Sequence, residues 1–136
     1  MDGTVVYALE PDLDAESFQD LLVASGLAPR RPAAFLERLG RMLAGSDLIV
    51  TARLDGRLVG VARTLTDFAF CAYLSDLAVA RDCQGRGIGR QLIVETRAAA
   101  GPEASLLLTA APGIEAYYEA IGMPRVPHAF RTDRER

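Results

Sequence analysis

Residues Arg81 to Arg90 read Arg-Asp-Cys-Gln-Gly-Arg-Gly-Ile-Gly-Arg, between an apolar, strand-like run (Tyr73 to Val79) and a helix-like run (Ile88 to Ala100). A loop of this kind, feeding a strand into a helix, restricts the chain more than any other stretch. Glycines at 85, 87 and 89 lack the Cβ atoms that keep a ligand from the backbone, and they permit positive-φ turns that aim successive N–H groups inward. The first turn of the helix adds unpaired donors and the positive end of its dipole. Arg81, Arg86 and Arg90 stand here against Asp82 alone, in a chain of formal charge −3. The local charge suits an anion such as a phosphate.

Spacing separates the families of glycine loop. A P-loop closes on Gly-Lys-Ser/Thr, whereas Gly89 is followed by Arg90-Gln91. A Rossmann fingerprint needs a glycine where Arg90 stands and an acid closing the next strand, which here ends in Thr109 and Ala110. The match is Gln84-x-x-Gly87-x-Gly89, flanked by Leu77-Ala78-Val79 and by Ile88-Gly89-Arg90-Gln91-Leu92-Ile93. This segment resembles the Gln/Arg-x-x-Gly-x-Gly/Ala signature of the GNAT superfamily of acyl-CoA-dependent N-acyltransferases. The resemblance implies that Gln84, Gly85, Arg86, Gly87, Ile88, Gly89 and Arg90 hold the pyrophosphate of acetyl-CoA, the co-substrate. It also implies that the backbone of Leu77, Ala78 and Val79 takes the pantetheine arm and the acyl oxygen.

At 136 residues the chain is expected to form a single domain, spanning 1–136, around one core. Half of it is hydrophobic and 24% charged, as in ordinary soluble domains. No apolar run reaches the roughly 18 residues of a membrane span, and Met1-Asp2-Gly3-Thr4 lacks a basic leader region, so the expected compartment is the cytoplasm. The acidic balance gives a nucleic-acid partner no support. Two cysteines, Cys71 and Cys83, and a single histidine supply neither a disulfide framework nor a zinc site, so no metal is expected. Cys83, beside arginines, is considered as a reactive thiol.

In chain order, Thr4 to Leu9 reads as a strand. A helix over about Asp14 to Ser25 follows, with Asp12 or Asp14 as cap and Gly26 as stop. Pro32 is expected at the first position of a second helix, whose face is Phe35, Leu36, Leu39, Met42 and Leu43 and which ends at Gly45. Leu48 to Leu54 and Leu58 to Leu65 flank Asp55-Gly56-Arg57 as a hairpin, and Phe68 to Val79 reads as the third strand of a meander. Ile88, Leu92, Thr96 and Ala99 mark a helix stopped by Gly101-Pro102. Ser105 to Thr109, with three successive leucines, reads as a parallel strand covered on both faces. Strand, helix and strand then form a right-handed crossover.

A last helix spans Ile114 to Ile121 and stops at Gly122. The expected fold class is α/β: the GNAT fold, a mixed central sheet flanked by helices, in the order β-α-α-β-β-β-α-β-α-(β). After Gly122 the family has two closing strands, whereas Met123 to Arg136 carries Pro124 and Pro127 and has room for one, around His128 to Thr132. The shortened region leaves the acceptor side open or completed by a second subunit, which makes a homodimer one expectation.

Acyl transfer from a thioester needs a neutral amine, a donor for the carbonyl oxygen and a proton for the departing sulfur. Ala116-Tyr117-Tyr118-Glu119-Ala120-Ile121-Gly122-Met123 resembles the family's Phe-Tyr-Glu-Lys-Leu-Gly-Phe segment. That resemblance makes Tyr118 the catalytic acid, protonated at neutral pH; Tyr117, one residue round the helix from it, is expected in the core. Asp76 is the candidate general base, alternating with Leu77 so as to face the cleft; His128 is a lesser candidate, and Glu119 is expected to be exposed. The expected activity is N-acetylation of a primary amine, on a small molecule, a peptide or a protein, with no nucleic acid or membrane partner. A non-catalytic acyl-CoA-binding module is the alternative. The acceptor pocket is expected from the first two helices, Asp67 to Cys71 and the tail.

Overall fold

Apolar alternation and turn chemistry account for most elements of the computed structural model, which describes residues 3–136. Their order is β1 (Val5–Leu9), α1 (Ala15–Ser25), α2 (Leu36–Ala44), β2 (Leu48–Leu54), β3 (Arg57–Thr66), β4 (Cys71–Val79), α3 (Ile88–Ala100), β5 (Ser105–Leu107) and α4 (Glu115–Ala120). Short 3-10 turns lie at Ala28–Arg30 and Arg81–Cys83. The strands make one five-stranded sheet in chain order, antiparallel through β4 and parallel between β4 and β5. This is the expected mixed α/β arrangement. Asp55 and Gly56 take positive φ of 51° and 81°, the two-residue turn whose twist matches the hairpin it closes.

Helices cover both faces. Phe18 and Leu22 of α1 and Leu39 of α2 are fully buried against Ile49, Val61 and Ala78. On the other face Ile88, Leu92 and Ile93 of α3 pack on Val50, Ala52, Val59, Ala62 and Leu74. Each buried Leu, Ile, Val or Phe among them contributes about 1.5–3 kcal/mol by leaving water.

One irregularity decides what β4 presents. Arg63 pairs with Asp76 and the next residue, Thr64, with Leu74, so Ser75 is an extra residue in β4. Such a bulge breaks the period-2 alternation. Leu74 joins the α3 face, whereas Ala78 and Asp76 join the face covered by α1 and α2.

Several boundaries differ from the sequence expectation. Pro32 does not open α2, which starts at Leu36 after Phe35. Arg31 precedes that proline and is held extended at φ −138° and ψ 157°, so a helix cannot run through it. β4 begins at Cys71, not Phe68, because Asp67 accepts the backbone N–H groups of Ala69, Phe70 and Cys71 and Phe68 takes φ 61°. The leucine run is not a doubly covered strand: β5 has only three residues, and Ser105 and Leu107 are exposed. No strand forms over 128–132. No helix among the described residues is long and apolar enough to cross a membrane.

Candidate active site

The parallel pairing of β4 with β5 is confined to Cys71–Ser105, Ala72–Leu106 and Tyr73–Leu107. Beyond Tyr73 the two strands part, and β4 has no strand on that edge among the described residues. Ala80 donates its N–H to Val59 O on β3 at 2.8 Å. Successive backbone groups in a strand point to opposite sides. The N–H groups of Leu77 and Val79 therefore face the opening. Val79 O, on the same side, accepts the Gln84 side-chain amide at 3.0 Å. Gln84 thus ties the start of the glycine loop to the end of β4.

The loop continues this edge. Gly85 and Gly87 hold positive φ of 82° and 79°, and a Cβ on either would point into open space. Gln91 is the first residue of α3 to donate inside the helix, to Gly87 O at 3.0 Å. The N–H groups from Gly85 to Arg90 find no acceptor among the described residues. Arg86 and Arg90 are exposed beside them. A pyrophosphate fits this cradle, and a side chain at 85 or 87 would intrude on it. Arg81 is placed differently, with its guanidinium against Gly26 at the C-terminal end of α1.

Gly122 sets the register of α4. Its φ of 86° lets Met123 N–H reach back to Tyr118 O at 3.0 Å while Gly122 N–H bonds Glu119 O at 3.0 Å. This stop needs a left-handed residue, which favours glycine. Tyr118 is half-buried between the α3 side of the sheet and the opening. Burial, and secondarily Tyr117, raise its hydroxyl above the usual phenol value, with Arg31 opposing, so the phenol keeps its proton.

Tyr117 is not in the core. It is exposed, edge-on to Tyr118 with ring centroids 5.2 Å apart. Its hydroxyl lies over Gly89, where an added Cβ would strike it. Tyr117 therefore borders the loop.

Asp76 alternates with Leu77 as expected, but it shares the face of Ala78, under α1 and α2, and does not line the opening. It is fully buried, with Arg31 Nε on one carboxylate oxygen and Arg63 Nε on the other. Arg31 also donates to Ser75 O at 2.8 Å, and Arg63 to Ser75 Oγ at 3.0 Å. A carboxylate so enclosed is an anchor, poorly placed to take a proton from an incoming amine. His128 is exposed in the tail, and Glu119 pairs with Arg125 at 3.1 Å. Cys83 is buried, which does not fit a reactive thiol.

A cavity of about 420 Å³ occupies the opening. Tyr73, Ser75 and Leu77 of β4 form one wall, Leu108 and Thr109 the other, with Tyr118 between them; the α1–α2 connection, α2 and the tail close it. The segment from Asp67 to Cys71 does not line it. Sequence reasoning passed over Tyr73, Thr109 and the arginines of this wall. Pro29-Arg30-Arg31-Pro32 was legible only as a turn, because nothing local says that Arg31 reaches β4.

Residues 24–133 match the family model described as the acetyltransferase (GNAT) domain. Serotonin N-acetyltransferase 2, chloroplastic, of Oryza sativa subsp. japonica is 29% identical over 137 residues, covering 95% of this chain. The chain spans 66% of the length of that relative. A GNAT family acetyltransferase of Streptococcus pneumoniae TIGR4 superposes with a TM-score of 0.71 at 19% identity, over 97% of this chain and 100% of its own. An aminoglycoside N-acetyltransferase in complex with CoA gives a TM-score of 0.75 at 15% identity, over 99% and 97% respectively. At these identities the two structures speak for the fold alone.

Proposed function

Because the chain belongs to the GNAT acetyltransferase family, we propose that it transfers an acetyl group from acetyl-CoA to a primary amine by direct attack within a ternary complex. The observation that carries this reading is the run of unpaired N–H groups from Gly85 to Arg90, reached from the open edge of β4. The loop donors, with Arg86 and Arg90, suit the pyrophosphate. The free N–H groups of Leu77 and Val79 suit the amides of the pantetheine arm and the acyl oxygen, as a missing strand would.

In the reaction, the nitrogen lone pair of the neutral amine forms a bond to the thioester carbonyl carbon and the carbon–sulfur bond breaks. The departing sulfur takes a proton from Tyr118, whose raised affinity for it keeps the acid loaded at neutral pH. The tyrosine is reprotonated from solvent, and the amine's surplus proton leaves to water. Asp76 acts at a distance, by holding Arg31 and Arg63 in the wall.

The relatives' names include serotonin and aminoglycosides among possible acceptors. Both are cationic amines, and the wall around Tyr118 is itself cationic. The test is calorimetric titration with acetyl-CoA alongside an assay of coenzyme A thiol release with an amine panel. Binding with release supports the transferase. Binding with no release from any amine supports a non-catalytic acyl-CoA module, a reading favoured by the absence of a strand in 123–136. Gly87→Glu, which projects a carboxylate into the cradle, is expected to weaken acetyl-CoA binding by at least about a hundredfold. Unchanged affinity in that variant sinks the loop's assignment.

A further inference from the structure

The acceptor side of the opening is a cation. Arg30, Arg31, Arg38, Arg63, Arg131 and Arg134 line the cavity of about 420 Å³, and the only carboxylate among its lining residues is Asp133. Asp76 lies buried behind it, shared by Arg31 and Arg63. The whole chain carries −3, so this concentration reverses the overall sign.

These arginines divide by what they already hold. Arg31 and Arg63 are spent on Asp76 and on polar atoms of Ser75, Met42 and Ser46, and form a fixed wall. Arg131 is paired with Asp133 at 2.8 Å. Arg38 is already held by Arg136 O at 3.2 Å. Arg30 and Arg134 have neither an ion pair nor a side-chain hydrogen bond among the described residues. Arg30 and Arg134 therefore bring unpartnered guanidinium groups to a cavity that also holds Tyr118. A guanidinium stays charged throughout the working pH range and presents paired donors that match carboxylate and phosphate oxygens.

We propose that the acceptor is a small primary amine bearing an anionic group, a carboxylate or a phosphate, which the Arg30–Arg134 side of the cavity binds while the amine faces Tyr118. The proposal rests on the acetyl-transfer reading for its chemistry and adds the acceptor class. A bare cationic amine meets repulsion from the same wall, which lowers its occupancy. The anion satisfies the idle guanidinium groups and fixes the molecule's direction in the opening. Transfer then forms the amide nitrogen–carbon bond and releases coenzyme A thiol, the surplus amine proton passing to water.

The test uses matched amines with the full chain. O-phosphoethanolamine is compared with ethanolamine, and β-alanine with β-alaninamide, so that the two pairs separate phosphate from carboxylate. The anionic member of at least one pair is expected to show a kcat/KM higher by about tenfold or more, an advantage that shrinks as salt rises. Arg30→Gln and Arg134→Gln, both at exposed positions, are expected to raise KM for that member severalfold without changing the Kd for acetyl-CoA. Equal or better turnover of the neutral partners overturns the proposal. Where no amine turns over, NMR titration of the arginine Nε–H signals decides. Shifts with the anionic probes alone sustain it; no shifts, or equal shifts with the neutral probes, overturn it. Failure of acetyl-CoA to bind sinks the acetyl-transfer reading instead, and the same NMR titration still reads the anion site.

Discussion

The Tyr73 hydroxyl lies 3.1 Å from Thr109 Oγ1, joining β4 to the segment that follows β5 at the point where the two strands part. Below this bridge the strands are paired, and above it they enclose the cavity. Tyr73→Phe removes the bond and leaves the ring. The expected loss in stability is about 0.5–1.5 kcal/mol by chemical denaturation. The acceptor KM is expected to rise while the Kd for acetyl-CoA holds. An unchanged acceptor KM separates the bridge from acceptor binding.

Asp76→Asn leaves Arg31 and Arg63 facing each other without their shared carboxylate. Removing one partner from a buried ion-pair network costs about 3–5 kcal/mol, and urea unfolding is expected to show a loss of that order. A variant of wild-type stability with depressed kcat and a displaced acid limb in the pH–rate profile restores Asp76 as a general base.

Tyr118→Phe is expected to lower kcat about a hundredfold with little change in the KM for acetyl-CoA. The phenol's proton affinity is raised by burial, so the wild-type rate is expected to have no falling alkaline limb below about pH 10. Full activity of the phenylalanine variant, with chemistry rate-limiting, takes the acid role from Tyr118.

Asp67 shows the opposite shift. Three backbone N–H groups, from Ala69, Phe70 and Cys71, pull its carboxyl down to about 2 from 3.8. A depressed carboxyl stabilises the fold above its ordinary value, and that contribution disappears as pH falls through about 2. Asp67→Asn is expected to melt below wild type at neutral pH, with the gap closing between about pH 4 and about pH 2. Hydrogen exchange at Phe70 and Cys71 should quicken in the variant. Parallel melting curves across that range count against the carboxylate's role in the turn.

What could be read in the sequence was local. Asp55-Gly56 announces its hairpin because only that turn matches the strand twist, and Gly26, Gly87 and Gly122 mark places where the backbone turns left-handed. The glycine loop is legible for the same reason. The acceptor side is not, because it depends on distant pairs: Arg31 reaches Asp76 across 45 positions in the chain. The face that Leu74 joins depends on the extra residue, Ser75, and nothing in the composition of β4 signals that bulge. Its place one residue round the helix from Tyr118 points Tyr117 inward, yet α4 lies at the edge of the fold with no buried residue of its own.

The free edge of β4 has a consequence for the protein in solution. A row of unsatisfied strand donors and acceptors is a template on which another chain can pair, and it is a common route to aggregation. In the proposed reading a pantetheine lying along Leu77 and Val79 would mask that row, and the donor would act as a capping strand as well as a reactant. Solubility at high protein concentration should follow the supply of acetyl-CoA or free coenzyme A. Preparations stripped of both should precipitate first.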